Sequence, residues 1–467
     1  MDQKFSFNYR YILGISLVSA MGGLLFGYDW VVIGGAKPFY EKFFGIVDYP
    51  RLQGWAMSCA LAGCLVGSVL SGLMSDRYGR KRLLILAALV FIVSALGTGA
   101  ADHFPPFVGY RILGGVAIGL ASNLSPMYIA EVTPASIRGG FVSINQLTIV
   151  IGILLAQVAN WLIAEPVPEG SSAKEILLSW NGQHGWRWMF WAELAPASLF
   201  FILMWLVPES PRWLAKHKEH EKAIRILSRF GGREYALQEA AEIERTLRHD
   251  TEKVHFRSLL SPGLSGVLLI GIVLAVFQQW CGINVIFNYA EEIFSAAGYG
   301  VSDTLFNIVI TGSVNLVFTF VAIYTVDKLG RKALMLMGAG GLAGIYAVLG
   351  SMYYFDLKGI SVLVFILLAI ACYAMTLAPV TWVLLSEIFP NRIRGAALAV
   401  ATFALWAASF VLVYTFPFVN RAFGTGGAIW LFGLLCVGGF IFIRTRVAET
   451  RGKSLEQIER ELVNPNP

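Results

Sequence analysis

Long apolar runs alternate with short polar stretches along nearly the whole chain. Twelve runs stand out, at roughly 11–35, 54–74, 83–101, 106–129, 140–164, 187–207, 265–289, 304–326, 333–354, 361–385, 396–418 and 426–444. A helix needs about 20 apolar residues to cross hydrocarbon, so each run is predicted to be a membrane-spanning α-helix. The first run starts within a dozen residues of Met1 and has no cleavage signal, so it reads as a helix rather than a leader. Two polar stretches are longer than the rest. Residues 165–186, with Pro166, Pro168, Gly170 and Ser171, read as an extracellular loop. Residues 208–262 show helical periods (Ala223, Ile226 and Leu227; Leu237, Ala240, Ile243 and Leu247) parted by Gly231-Gly232, which predicts two or three amphipathic helices.

The polar stretches also repeat. Asp76-Arg77-Tyr78-Gly79-Arg80-Lys81 returns as Asp327-Lys328-Leu329-Gly330-Arg331-Lys332. Glu131, followed by Arg138 and Gly139, returns as Glu387, followed by Arg394 and Gly395. A duplicated charged loop between apolar runs points to two similar halves, as in membrane transporters. The predicted fold is an all-α membrane protein with twelve transmembrane helices in two pseudo-symmetric six-helix halves. Its parts are an N-terminal bundle (1–207), a cytoplasmic helical linker (208–262), a C-terminal bundle (263–446) and a cytoplasmic tail (447–467).

Composition agrees with this layout. The chain is 56% hydrophobic and only 14% charged, against about 25% charged in soluble domains. Its net charge of +6 does not indicate nucleic acid, because the cations sit in short loops after even-numbered segments: Arg77, Arg80, Lys81 and Arg82; Arg138; Lys328, Arg331 and Lys332; Arg392 and Arg394. The positive-inside rule then places both termini in the cytoplasm. Gly63 and Gly67, and Gly114, Gly115 and Gly119, are spaced for close helix packing in lipid. The five cysteines all fall inside apolar runs and lack metal-ligand spacing, so they read as packing residues.

Several motifs in order resemble the major facilitator superfamily, and within it the sugar porters. They are the two loop motifs, Pro208-Glu209-Ser210-Pro211-Arg212, Gln278-Gln279 with Gly282-Ile283-Asn284, and Glu449-Thr450-Arg451-Gly452-Lys453-Ser454-Leu455. The run Tyr110-Arg111-Ile112-Leu113-Gly114-Gly115, continuing to Ser125-Pro126-Met127-Tyr128-Ile129-Ala130-Glu131, is similar to bacterial xylose–proton symporters. The resemblance covers essentially the whole chain. It implies a monosaccharide–proton symporter of a bacterial inner membrane, a monomer that imports sugar by alternating access. The implied partners are sugar, proton and lipid bilayer.

Ionisable residues inside the runs carry the coupling chemistry. Asp29, Arg111 and Glu193 each interrupt apolar sequence, and a charge in hydrocarbon is costly unless paired. The resemblance implies that they form one network. Beside Arg111, Asp29 stays ionised; parted from it and desolvated, it takes a proton, while Glu193 holds Arg111. The alternative is a static ion pair that fixes helix register. Facilitators of the family usually carry a neutral residue at the position of Asp29, which favours symport over uniport.

Sugar hydroxyls both donate and accept, as amides do, and indoles cover C–H faces. The candidates are Gln146, Gln278, Gln279, Asn284, Asn315, Trp382, Trp406 and Phe26, and their joint match to family sugar contacts supports them. Asn288 stands where tyrosine is usual, Glu291 where proline is usual, Ala378 where glycine is usual, and Leu405 where the xylose symporters have glutamine. The sugar preference therefore extends to pentose or hexose. The resemblance assigns Asp76, Arg80, Glu131, Arg138, Glu209, Asp327, Arg331, Glu387 and Arg394 to gating salt bridges.

Other classes fit poorly. The short tail argues against a sugar sensor, and the pocket amides argue against a drug antiporter. An enzyme is not expected: there is no metal-spaced His/Cys cluster, no nucleophile with a base and no phosphate loop, and Gly338, Gly340 and Gly341 lie in an apolar run. No cofactor or metal is expected.

Overall fold

The computed structural model describes residues 5–249, 261, 264–390, 393–451 and 457, apart from the side chains of residues 248, 249, 326 and 327, and all the regular structure described is helical. Helices α1 (Tyr9–Phe43), α2 (Pro50–Tyr78), α3 (Arg80–Ala100), α4 (Phe104–Val132) and α5 (Arg138–Ile163) cover the first five apolar runs. Hydrocarbon offers the backbone no hydrogen-bond partners, so each apolar run closes its own bonds as helix.

The 165–186 stretch departs from the expected loop, because it contains a short helix, α6 (Ala173–Leu178). Ser172 caps it: its Oγ accepts from the Glu175 N–H, and the Glu175 carboxylate accepts from the Ser172 N–H at 2.6 Å. This reciprocal box satisfies donors that a helix start leaves bare. The Asn181 amide clasps the base of the stretch, accepting from Glu165 N at 2.8 Å and donating to Glu165 O at 2.7 Å.

The sixth apolar run is α7 (Trp186–Trp191) and α8 (Leu194–Leu206), and a π-helical turn (Asn181–Gly185) at the end of the expected loop leads into it, so the helical stretch starts before 187. The linker holds α9 (Pro211–Lys216), capped by Ser210, and α10 (His220–His249), broken at Gly231 and Gly232 as the sequence predicts. The rest of the linker and most of the tail lie outside the described residues.

The second half contains α11 (Leu264–Trp280), α12 (Ile283–Asn288), α13 (Ala290–Ala296), α14 (Val301–Leu329), α15 (Arg331–Tyr354), α16 (Ile360–Met375), α17 (Leu377–Ile388) and α18 (Arg394–Arg446). By length and composition, 11 helical stretches among the described residues suit a membrane crossing. The count falls short of twelve because α18 runs on for 53 residues. At 1.5 Å per residue it would span about 80 Å, far more than a hydrocarbon layer of about 30 Å. Its non-helical break at Gly424 (φ 68°) separates the two runs predicted at 396–418 and 426–444.

The chain forms two compact units. The first comprises Met1–Trp30, Gly63–Ala156 and Phe190–Lys253; the second comprises Val31–Ala62, Gln157–Met189 and Val254–Pro467. Within the first, α2 and α4 meet through small residues. A Cβ on Gly63 would strike the carbonyl of Ile112, and one on Gly67 that of Val116. That is the close backbone approach predicted from their spacing.

Candidate functional site

In the first unit the ionisable residues of α1, α4 and the α7–α8 junction converge. Asp29 and Arg111 are each 1% exposed. Arg111 Nη1 donates to Asp29 Oδ1, and Nη2 donates to the Asp29 carbonyl at 3.1 Å. The guanidinium also lies over the Phe190 ring, 5.5 Å from its centroid. Glu193 is equally buried, at the point where the helix breaks between α7 and α8. Both Asp29 and Arg111 are within its electrostatic reach. Asp29 Oδ2 and Glu193 Oε1 make no hydrogen bond among the described residues.

Three residues from distant parts of the chain thus form one cation with two carboxylates. Arg111 faces Asp29 because α4 turns its Arg111–Gly114 face toward α1. A Cβ on Gly114 would lie 2.8 Å from Asp29 Oδ2, so the missing side chain makes room for the carboxylate. A guanidinium that has two acids to choose between, each with a bare oxygen, suits a partner exchange coupled to protonation.

The second unit holds a neutral counterpart. Gln278, Gln279, Asn284 and Asn288 are all at least 95% buried. Gln278 donates to the Tyr373 hydroxyl at 2.6 Å, and Gln279 donates to Gln278 Oε1 at 2.5 Å. Asn284 donates to Gln279 Oε1, and Asn288 to the Asn284 carbonyl at 2.9 Å. Adjacent residues on a regular helix point about 100° apart. Here the backbone breaks just beyond the pair, at Gly282 (φ 89°), a conformation that glycine adopts freely. The break brings Asn284 of α12 back to Gln279 of α11.

Tyr373 was missing from the sequence candidates, since a tyrosine in an apolar run reads as packing. Its hydroxyl stands at one end of the amide run. α16 itself stops two residues later, where Thr376 (φ −125°, ψ −85°) separates it from α17.

The remaining sugar candidates are distributed as follows. Gln146 on α5 and Phe26 on α1 are half-buried in the first unit, with Phe26 stacked on Trp30 at 5.9 Å. Asn315 on α14 and Trp406 on α18 are 6% exposed in the second. Trp382 on α17 is 39% exposed, open for an indole in an otherwise apolar helix.

The duplicated polar motifs form two matching corners, one in each unit. In the first, Arg80 donates to Glu131 Oε1 at 2.9 Å and lies 3.5 Å from Asp76. Glu209 Oε1 accepts from the N–H groups of Arg80, Lys81 and Ser210 at 3.1, 3.1 and 2.8 Å. In the second, Arg331 donates to Glu387 at 3.1 Å. Glu449 accepts from the N–H groups of Arg331, Lys332, Thr450 and Arg451 at 3.0–3.1 Å. Each glutamate therefore caps the N-terminus of the following transmembrane helix, α3 or α15, where bare N–H groups and the helix dipole favour an anion.

The sequence quoted Glu449 in a motif without assigning it this part. Burial outweighs the three N–H bonds at Glu209 and raises its carboxyl. At Glu449 burial also raises, but four N–H bonds prevail and the carboxyl is lowered. Exposed Arg138 faces Glu239 of α10 in the first unit, and Arg394 donates to the Phe389 carbonyl at 3.3 Å. The Asp327 side chain lies outside the described residues.

Known proteins resemble this chain along nearly its whole length. It matches the family described as "Sugar (and other) transporter" over residues 15–462. It is 41% identical to the D-xylose-proton symporter of Escherichia coli (strain K12), covering 97% of this chain and 96% of that one. It is 37% identical to the arabinose-proton symporter of Bacillus subtilis (strain 168), covering 96% and 95%. The solved inward open conformation of the xylose transporter XylE from E. coli superposes with a TM-score of 0.84 at 40% identity, covering 97% of this chain and all of that one. The chain belongs to the sugar transporter family of the major facilitator superfamily.

Proposed function

We propose that this protein is a proton-coupled monosaccharide symporter that imports a pentose or hexose by alternating access. The observation that carries the reading is the buried Asp29–Arg111 pair with Glu193 in reach. A facilitator has no need of a carboxylate there, and a buried acid facing one shared cation is a means of linking proton uptake to conformation. Asp29 is the proton carrier. Arg111 holds it ionised in one state and passes to Glu193 in the other. Relatives named as D-xylose–proton and arabinose–proton symporters support both proton and sugar.

The amides Gln278, Gln279 and Asn284, with Gln146, Asn315, Trp382, Trp406 and Phe26, are proposed to contact the sugar. Gln278, Gln279 and Asn284 hydrogen-bond one another, so binding a sugar would exchange amide–amide bonds for amide–hydroxyl bonds at small net cost. The proposed moving parts are residues 1–207 and 263–446, joined by the 208–262 linker, with both termini in the cytoplasm of a bacterial inner membrane.

The test is transport in proteoliposomes with labelled pentoses and hexoses, for wild type and Asp29→Asn. The variant is expected to keep sugar counterflow and lose accumulation driven by a pH gradient. Wild-type protein that never accumulates sugar against a gradient would make this a facilitator and overturn the role of Asp29.

A further inference from the structure

A second cation-centred cluster lies in the second unit, in residues that the coupling network does not use. Lys37, on the C-terminal part of α1, is 2% exposed. Its ammonium lies 3.2 Å from Glu41 one turn later, 3.3 Å from Glu291 and 2.6 Å from Glu292. Glu291 and Glu292 lie in the first turn of α13. Gln53 of α2 donates to the other oxygen of Glu41 at 3.0 Å. Lys37 also lies over the Tyr289 ring at 5.9 Å, and the Tyr289 hydroxyl donates to the Val413 carbonyl of α18 at 2.6 Å.

Two things set this cluster apart from an ordinary surface pair. First, it joins helices far apart in sequence at a close contact. One turn before Lys37, a Cβ on Gly34 would lie 2.9 Å from the Phe287 carbonyl, so α1 and the α12–α13 segment touch by backbone. Second, its charges do not balance. One ammonium faces three carboxylates, with the hydroxyls of Tyr40 and Tyr289 nearby. Glu292 Oε2 is buried and makes no hydrogen bond among the described residues.

We propose that Lys37, with Glu41, Glu291 and Glu292, is an ion-pair latch that holds α13 against α1 while this end of the sugar pathway is closed, and that closing it takes up one proton at Glu292. The proposal rests on the alternating-access reading above. Opening separates and hydrates the carboxylates, each returns toward ordinary acidity, and the proton leaves. Glu292 lies beyond the Leu264–Asn288 span. In the closed latch burial raises its carboxyl, Lys37 lowers it, and Glu291 and Glu41 raise it again, to about 7 from an ordinary 4.5. The closed state therefore holds the extra proton between those two values, so acid favours closure and rising pH favours opening. This proton is distinct from the one on Asp29.

The experiment is pulsed electron–electron spin-resonance distance measurement on the full chain in lipid nanodiscs without sugar, with labels at Val47→Cys and Ser295→Cys, from pH 5 to 8.5. The closed-to-open ratio is expected to fall about tenfold per pH unit between pH 5 and 7 and to level off above 7. Glu292→Gln, which imitates the protonated acid, should stay closed throughout. Lys37→Met should favour the long distance at every pH, and Lys37→Arg should restore the short one. A wild-type distribution indifferent to pH, or Lys37→Met distances that match the wild type, would overturn the latch. Should Lys37→Met not fold, a Glu292→Gln chain that still opens with rising pH overturns the proposal equally. Counterflow on the same samples separates the two readings. A chain that opens and closes with pH but exchanges no monosaccharide defeats the transport reading and leaves the latch standing.

Discussion

The Asp29–Arg111–Glu193 cluster of the first unit is ionisable where the Gln278–Gln279–Asn284 cluster of the second is built of amides. Asp29, Arg111 and Glu193 put three ionisable groups into buried positions of the first unit, whereas Gln278, Gln279, Asn284 and Tyr373 build a neutral hydrogen-bonded run in the second. The two answer different demands. A charged cluster has states separated by a proton and responds steeply to its removal. An amide run exchanges partners at nearly constant energy, which suits a reversible ligand rich in hydroxyls. The duplicated corners differ in another way. Glu209 and Glu449 cap equivalent helices, yet burial raises the first carboxyl, whereas at the second four N–H bonds outweigh burial and lower it. Duplicated sequence has thus been tuned apart.

The most severe test of this contrast is Arg111→Leu. It leaves two buried acids without their cation, and removing one partner of a buried pair costs about 3–5 kcal/mol. Thermal unfolding in detergent should show a large loss of stability together with loss of transport; a variant as stable as the wild type would mean that the charges are solvated.

Next comes Gln279→Leu, which removes the central member of the amide run. An unmade buried bond costs about 1–3 kcal/mol, so sugar affinity should fall by roughly one to two decades. Calorimetric titration would measure this, and stability should change far less than in Arg111→Leu. Equal stability losses in the two variants would erase the distinction between the units.

Smaller effects are expected at the corners. Arg138→Gln should slow transport in vesicles more than it weakens sugar binding, because exposed pairs contribute only about 0–1 kcal/mol each to the balance of states. The finest test compares Glu209→Gln with Glu449→Gln. A carboxylate at a helix start contributes about 0.3–1 kcal/mol.

The lowered Glu449 stabilises fully above the ordinary glutamate value of 4.5 and loses that contribution as pH falls through its folded value. The stability gap between wild type and Glu449→Gln should therefore narrow in acid. Glu209 is raised, so its contribution is present in acid and lost as pH rises through its folded value. The gap to Glu209→Gln should move the opposite way. Melting temperatures across pH 4–8 would show it, and slopes of the same sign would break the comparison.

Much of the proposed coupling site was legible. Asp29, Arg111 and Glu193 stand out because an ionisable residue in an apolar run has no bland explanation. Lys37 was not, since it lies just past the first predicted run and reads as a flanking cation. Only the fold brings Glu291 and Glu292 to it, from more than 250 positions away. Tyr373 escaped for a different reason: tyrosine is common in packing, and its hydroxyl gains meaning only from the glutamine opposite. The Ser172–Glu175 box was readable by spacing, but prolines and glycine just before it made the whole stretch look like loop.

By itself the sequence determined the spans and the repeated polar corners. The physical reason is local: hydrocarbon compels an apolar run to satisfy its own backbone, and this needs only the run's own residues. The tertiary structure decided which charge meets which. Asp29 and Arg111 are 82 residues apart in the chain, and electrostatic and hydrogen-bonding partners act only over a few ångströms. It also decided the helix break at Glu193, because a break inside apolar surroundings survives only where neighbouring segments accommodate the freed backbone groups.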